Sequence, residues 1–315
     1  MKILVTGREG QVARSLAEGA AADPNIELMF ASRPQLDLLE PETVRLAVLA
    51  ARPDVVVSAA AYTAVDQAED EPEKAFAINA TGAGAVAAAA AEVGAPVIHL
   101  STDYVCSGDL EGEYAETDEP DPQSVYGRSK LEGEEAVAAA NPRHVIVRTA
   151  WVYSPFGKNF VKTMLALASQ RDHLRIVADE WGNPTAATDI ADGIVRIAKT
   201  VADGRQADLF GIFHLSGGGS TNWAGFARHV FADSARLGGP SAKVEDISAA
   251  DYPTKARRPR NSRLSCEKLV SVYGWRPPPW QEACRAVVAR LVGERSSECR
   301  RLQLGSRIRQ PSQMG

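Results

Sequence analysis

The feature that most constrains the fold of this chain is a regular alternation of short β-branched runs with longer alanine-rich segments of helical period. The runs KILVT, IELMF, DVVVSAA and PVIHLST are separated by helical patterns at residues 12–22, 41–51 and 73–93. Strands joined by such helices pair in parallel, because each crossover must lie over a face of the sheet. We therefore predict an α/β protein built on a doubly wound parallel sheet.

The rhythm of strands and helices changes about halfway along the chain. A helix at 124–140 and the strand HVIVRTAW continue the alternation, after which loops rich in Gly, Pro and Trp separate further helical patterns. The last residues lose apolar periodicity and carry several arginines. We predict a dinucleotide-binding domain at 1–155, a mainly substrate-binding region at 156–292 with some segments returning to the first core, and a disordered tail at 293–315.

Composition excludes several classes of protein. A net charge of −5 gives no electrostatic footprint for nucleic acid. The four cysteines form no CxxC pair, which argues against a zinc site or a disulfide framework. The most apolar stretch is largely alanine and contains Glu92, so it is a poor candidate for a membrane span. We expect a cytoplasmic protein that binds neither nucleic acid nor membrane.

A glycine turn follows the first strand directly. Gly7, Gly10, Gln11 and Val12 belong to the sequence GREGQVA, in which missing side chains let the backbone approach a diphosphate at a helix N-terminus. An ordinary tight strand-to-helix connection would produce the same pattern. The position after the first strand favours nucleotide binding.

The end of the second strand bears on cofactor choice. It carries Ser32 and Arg33 in place of the acidic residue that usually holds the ribose 2′-hydroxyl of NAD. Ser32 and Arg33 suit a 2′-phosphate, so we expect NADPH, with NADH possible, although Arg33 in a solvated loop is the alternative. Asp37 and Leu38 follow at a position that reaches an adenine, and Asp37 is equally suited to cap a helix.

Tyr126 and Lys130 lie four residues apart on the predicted helix, and therefore on one face. Such a pair arises often by chance. If it is functional, the Lys130 ammonium lowers the pKa of the Tyr126 phenol, which then exchanges a proton with a carbonyl oxygen while a nicotinamide supplies hydride.

Thr102 and Asp103 end the strand PVIHLST, at the edge where ligands bind in open α/β sheets. Thr102 is expected to hydrogen-bond the reacting carbonyl. The alternative is a turn stabilised by its own side chains.

These motifs occur in the order typical of one protein class. The chain resembles the extended short-chain dehydrogenase/reductase superfamily, whose nucleotide-binding domain has the Rossmann fold. Within it the closest resemblance is to the dTDP-4-dehydrorhamnose reductase family, through TGREGQVA, HLSTDYV, VYGRSKLEGE, VRTAWVYSPFGKNFVKTML, WGNPT and RPRNSRLS. The matching blocks cover residues 1–280.

The resemblance implies that a dTDP-sugar ketone is reduced by NADPH at Tyr126, Lys130 and Thr102. It also implies that Asp103 and Trp151 contact the substrate and that three consecutive residues border the nicotinamide, namely Ala61, Tyr62 and Thr63. For Trp151, a wedge between the two regions is the alternative. The resemblance also implies that loops containing Asn159, Arg258 and Arg263 close over the thymidine diphosphate. Two other functions stay open: reduction of another dTDP-4-keto-6-deoxyhexose, and a non-catalytic regulatory subunit.

The chain departs from the family pattern at a few positions. Ala13 replaces a glycine and Cys106 a phenylalanine, both of which we expect to be tolerated. Ser15 and Thr188 stand where some relatives have carboxylates that hold a divalent ion between subunits. We therefore expect no metal site, and either a monomer or a homodimer.

Overall fold

The computed structural model of the protein describes residues 1–21, 23–204 and 206–307, with side chains as far as residue 294. The strands are β1 (Lys2–Thr6), β2 (Glu27–Ala31), β3 (Val55–Ser58), β4 (Val97–Thr102), β5 (His144–Thr149), β6 (Val152–Tyr153), β7 (His173–Val177), β8 (Trp181–Gly182), β9 (Thr185–Ala186), β10 (Gly211–His214), β11 (Thr221–Asn222), β12 (Lys243–Ile247) and β13 (Asn261–Ser262).

The α-helices are α1 (Gln11–Ala20), α2 (Pro41–Ala51), α3 (Val65–Ala68), α4 (Pro72–Phe76), α5 (Ala83–Glu92), α6 (Val125–Ala140), α7 (Phe160–Ala168), α8 (Ala187–Asp203), α9 (Trp223–Arg236), α10 (Glu267–Tyr273) and α11 (Trp280–Arg307). A π-helical turn, Ala77–Gly82, joins α4 to α5. Short 3₁₀ turns lie in the connections.

The main sheet confirms the predicted doubly wound architecture. Across the described ranges it has six strands in the order β10-β5-β4-β3-β1-β2, all paired in parallel. Because side chains alternate along a strand, successive residues enter different cores. Ile3 and Val5 pack with α1 and α8 on one face, whereas Leu4 packs with α2 and α5 on the other.

The region after residue 155 divides between two cores. β10 extends the main sheet beside β5, and α8 packs on α1, so these segments complete the first core. α7, α9 and α11 form a separate core around Phe226 and Trp280. Three small sheets, β7–β12, β8 with β11 and β13, and β6–β9, flank it.

α11 runs on to Arg307, so the helix includes the first part of the tail predicted at 293–315. The remainder, residues 308–315, lies outside the described residues. No helix in the described part of the chain is long and apolar enough to cross a membrane.

Candidate active site

The glycine turn forms an open cradle at the start of α1. Gly7 has a φ of +82°, and its amide donates to the carbonyl of Ala31 over 2.7 Å. Gly10 is the N-cap of α1, and a Cβ atom added there would meet no described atom within 4 Å. The first amides of a helix lack intrahelical partners and bind phosphate well. The turn therefore fits a dinucleotide diphosphate.

The side chain of Gln11 ties this turn to the second region. Its carbonyl oxygen accepts from the Ser154 hydroxyl over 2.7 Å and from the Asn159 amide over 2.9 Å. Asn159 also caps α7 by accepting from the Lys162 amide. Gln11 thus connects the phosphate cradle to the helix that begins the separate core.

The residues predicted to bind the adenosine half of the cofactor lie beside the same sheet edge. Ser32 and Arg33 follow β2 directly, and Arg33 is exposed. The Asp37 carboxylate accepts from the Leu39 amide over 3.0 Å. Glu40 is the N-cap of α2, so the helix-cap interpretation of Asp37 is wrong. Leu38 is buried.

The segment after β3 is held from two sides. The Thr6 hydroxyl accepts from the amides of Ala59 and Ala60, both over 3.0 Å. The Asn79 carboxamide, in the π-helical turn, accepts from the Tyr62 amide over 2.8 Å and donates to the Tyr62 carbonyl over 3.0 Å. Ala61, Tyr62 and Thr63 therefore have a fixed backbone.

Thr102 and Asp103 end β4, and both are buried. The Thr102 hydroxyl donates to Oδ1 of Asp103 over 2.9 Å, and it accepts from the Tyr104 amide over 3.2 Å. Oδ2 of Asp103 is buried without a hydrogen-bond partner among the described residues. Burial raises the pKa of Asp103 to about 6, against the hydrogen bond from Thr102 that lowers it.

Tyr126 lies in the first turn of α6, which begins after the Ser124 cap. Gly127 packs against the Tyr104 carbonyl so closely that a Cβ atom would not fit. This contact brings Tyr126 to the end of β4, where Thr102 is among its neighbours. The rings of Tyr126 and Tyr104 meet edge to face with centroids 5.5 Å apart. Thr102 and Tyr126 therefore lie together at the carboxyl end of β4.

The expected effect of Lys130 on Tyr126 is wrong in this structure. Lys130 Nζ donates to the Leu100 carbonyl over 2.6 Å and lies 3.1 Å from Nε2 of His99. Burial raises the pKa of Tyr126 to about 12, the neighbouring Thr102 side chain lowers it in part, and the Asp103 charge raises it further. Burial also lowers the pKa of Lys130 to about 8. The helix spacing is as predicted, but the buried ammonium finds acceptors inside the sheet.

The Trp151 indole packs against the separate core and against a small cluster around Val105 and Tyr114. Its φ is +46°, and one indole face stacks on Trp223 with centroids 3.5 Å and planes 7° apart. The indole edge packs on Gly182. This packing leaves only the opposite face of the Trp151 indole for a sugar.

Two residues of the site, Glu134 and Arg148, were not predicted from the sequence, whereas Arg258 was. Glu134, one turn after Lys130, forms a buried ion pair with Arg148 over 2.7 Å and accepts from Ser101. Arg258 donates to the Tyr104 hydroxyl over 3.0 Å and pairs with Asp66 over 2.6 Å. The helical period places Glu134 on the same helix face as Lys130. No local sequence pattern indicates that Glu134 pairs with Arg148, or that Arg258 pairs with Asp66.

Arg263, whose loop is expected to close over the thymidine diphosphate, is hydrogen-bonded to two neighbouring segments. Its Nε donates to the Asn261 side chain over 2.8 Å, and its guanidinium also donates to the Glu111 carbonyl. Arg258, by contrast, lies against Tyr104.

Comparisons with known proteins agree with this geometry. The family model described as RmlD substrate binding domain matches residues 1–292. A dTDP-4-dehydrorhamnose reductase from Sinorhizobium fredii (strain NBRC 101917 / NGR234) is 53% identical over 294 residues, covering 93% of this chain and 99% of that protein.

Two crystal structures are similar over nearly their whole length. A dTDP-4-dehydrorhamnose reductase from Clostridium acetobutylicum has a TM-score of 0.85 and 37% identity, covering 92% of this chain and 99% of that chain. A dTDP-4-dehydrorhamnose reductase from Bacillus anthracis in complex with NADP has a TM-score of 0.83 and 34% identity, covering 91% and 98%.

The doubly wound sheet, the glycine cradle and the placement of Tyr126 beside Thr102 at the end of β4 define an extended short-chain dehydrogenase/reductase. Such a fold alone leaves the substrate undefined. The full-length matches are more specific, and the chain belongs to the dTDP-4-dehydrorhamnose reductase family.

Proposed function

We propose that the protein reduces the 4-keto group of dTDP-4-dehydro-β-L-rhamnose with NADPH, which yields dTDP-β-L-rhamnose, the last step of dTDP-rhamnose biosynthesis. The observation that carries this proposal is the placement of Tyr126, in the first turn of α6, against Tyr104 and beside Thr102 at the carboxyl end of β4, in a chain 53% identical to a named reductase of this sugar. The Tyr126 phenol as proton donor and the Thr102 hydroxyl beside it form a site that can bind and protonate a carbonyl oxygen.

The residues at the sheet edge fit NADPH. The backbone of Gly7, Gly10, Gln11 and Val12 would hold the diphosphate. The exposed Arg33 and neighbouring Ser32 would bind the 2′-phosphate. The remaining contacts would come from Asp37 and Leu38 at the adenine, Ala61, Tyr62 and Thr63 beside the nicotinamide, and Lys130 at the ribose hydroxyls. When bound, NADPH supplies the hydride.

Tyr126 is the proton donor in this mechanism. Because its pKa is raised to about 12, the phenol is protonated at neutral pH, which is the form that reduction needs. Its hydroxyl transfers a proton to the former carbonyl oxygen as carbon is reduced. Thr102 orients that oxygen. Asp103 is buried, and its Oδ2, which has no hydrogen-bond partner among the described residues, accepts a hydrogen bond from a sugar hydroxyl. The free face of Trp151 covers the sugar ring.

The test is NADPH oxidation with enzymatically generated dTDP-4-dehydrorhamnose, with Tyr126→Phe run in parallel. We expect turnover by the natural protein and a loss of about 10²- to 10⁴-fold in kcat for Tyr126→Phe, since that is the usual worth of a positioned proton donor. NADPH affinity, measured by fluorescence titration, should hardly change. A natural protein that binds NADPH but turns over no sugar would instead support a regulatory role.

A further inference from the structure

A buried row of hydrogen-bonded side chains connects Lys130 to His99 and Ser58. The register of β3 and β4 pairs Ser58 with His99, and both side chains are 1% exposed. Alternation along β4 turns His99 toward α6, where Lys130 lies. Lys130 Nζ is 3.1 Å from Nε2 of His99, and Nδ1 of His99 is 3.0 Å from the Ser58 hydroxyl.

Hydrogen-bond chemistry determines which of these side chains donates and which accepts. A lysine ammonium only donates, so Nε2 of His99 must accept, and the ring proton must then lie on Nδ1 and point to Ser58. Burial and the Lys130 charge both lower the pKa of His99 well below its usual range. The ring therefore stays neutral, as an acceptor for an ammonium must be.

Lys130 needs these acceptors because its side chain is 2% exposed. A buried cation without partners is costly. The partners at its ammonium are the Leu100 carbonyl at 2.6 Å and His99, both on β4. Glu134 contributes a more distant favourable charge. The flexible lysine stem would otherwise allow several positions of the ammonium.

We propose that His99 is a positioning residue for Lys130, whose Nε2 holds the lysine ammonium at the sheet edge where the nicotinamide ribose binds, with Ser58 orienting the imidazole. This inference rests on the proposed function for its link to catalysis. A histidine that merely fills the core would lack any effect on the cofactor.

Two substitutions at His99 separate positioning from packing. His99→Leu removes the acceptor, whereas His99→Gln can present a carbonyl oxygen near the place of Nε2. We expect His99→Leu to weaken NADPH binding and lower kcat, each by about 10- to 100-fold, the usual worth of a hydrogen bond to a charged group. His99→Gln should recover most of both. The control is His173→Leu, at an exposed position on β7, with neither change expected.

NADPH affinity is measured without sugar, and thermal unfolding is followed for every variant. Equal losses in His99→Leu and His99→Gln, or a folded His99→Leu with natural NADPH affinity and kcat, would overturn the proposal. The natural protein is assayed in parallel. If it binds NADPH yet turns over no sugar, the proposed function fails while the affinity comparison still tests His99.

A second measurement does not require any variant to be stable or active. Nitrogen-15 NMR of labelled histidines reports which ring nitrogen carries the proton, and the chain has only five histidines to assign. We expect His99 in the free natural protein to be neutral and protonated on Nδ1. Protonation on Nε2 would make His99 a donor to a neutral amine, which contradicts the proposal.

Discussion

The Thr102 hydroxyl donates to Oδ1 of the adjacent Asp103 carboxylate over 2.9 Å, while Oδ2 of that carboxylate is buried and unpaired within the described part of the chain. A half-satisfied carboxylate beside Tyr126 is costly to ionise. Burial accordingly raises its pKa from 3.8 to about 6. The ionised Asp103 carboxylate thus lowers the stability of the folded protein at neutral pH, at the place where a polar group of the ligand is expected to bind.

Asp103→Asn should stabilise the free protein at pH 7.5 by up to about 3 kcal/mol. The folded-state pKa is raised, so the folded protein binds more protons than the unfolded chain between pH 4 and 6. The Asp103 contribution is therefore fully present below about pH 4 and is lost as pH rises through about 6. The advantage of Asn should roughly halve at pH 5. Urea unfolding at both pH values measures it, with the exposed Asp203→Asn as control. If the free energies of unfolding of the natural protein and of Asp103→Asn changed in parallel with pH, the prediction would be refuted.

Arg148→Met should destabilise the fold by about 3 to 5 kcal/mol, because it leaves the Glu134 charge buried without its partner. Both side chains of this pair are 3% exposed, and Arg148 Nη2 lies 2.7 Å from Glu134. Arg148→Met combined with Glu134→Gln should recover part of the loss. The control is Arg45→Met, which breaks an exposed pair with Glu92 and should cost less than about 1 kcal/mol. Similar losses in both single variants would count against this account.

Trp223→Ala should raise the KM for the sugar nucleotide by about 10-fold, since Trp151 loses the ring that it stacks on. Trp223 also donates to the Glu180 carboxylate over 3.1 Å, which fixes its own indole. NADPH affinity should stay within about 2-fold, because the glycine cradle lies in the other core. Trp223→Phe should have a smaller effect on KM. A rise in the NADPH Kd instead of the sugar KM would disprove the separation of the two sites.

Arg33→Ala should lower the preference for NADPH over NADH by about 10- to 100-fold in kcat/KM, because a charged contact to the 2′-phosphate is lost. Turnover with NADH should change little. The control is Arg171→Ala, an exposed arginine beyond the end of α7. An unchanged preference would mean that Arg33 is only a solvated loop residue.

Much of this architecture follows from local pattern. The β-branched runs become β1 to β5 nearly as predicted, and the helix at Pro41–Ala51 has the predicted ends. The period of two along each strand assigns residues to the two faces of the sheet. The four-residue spacing of Tyr126 and Lys130 places them on one helix face. Such features depend on neighbouring residues alone.

Only the tertiary structure decided what these side chains contact. The acceptors of Lys130 lie on a strand about thirty residues earlier in the chain, and the register of β3 with β4 sets the partner of His99. Trp151 meets Trp223 across 72 positions of sequence, 151 to 223. By itself, the sequence determined which chemical groups reach the sheet edge. Burial and strand register, which arise from long-range packing, decided which of these groups form hydrogen bonds with one another and how their pKa values shift.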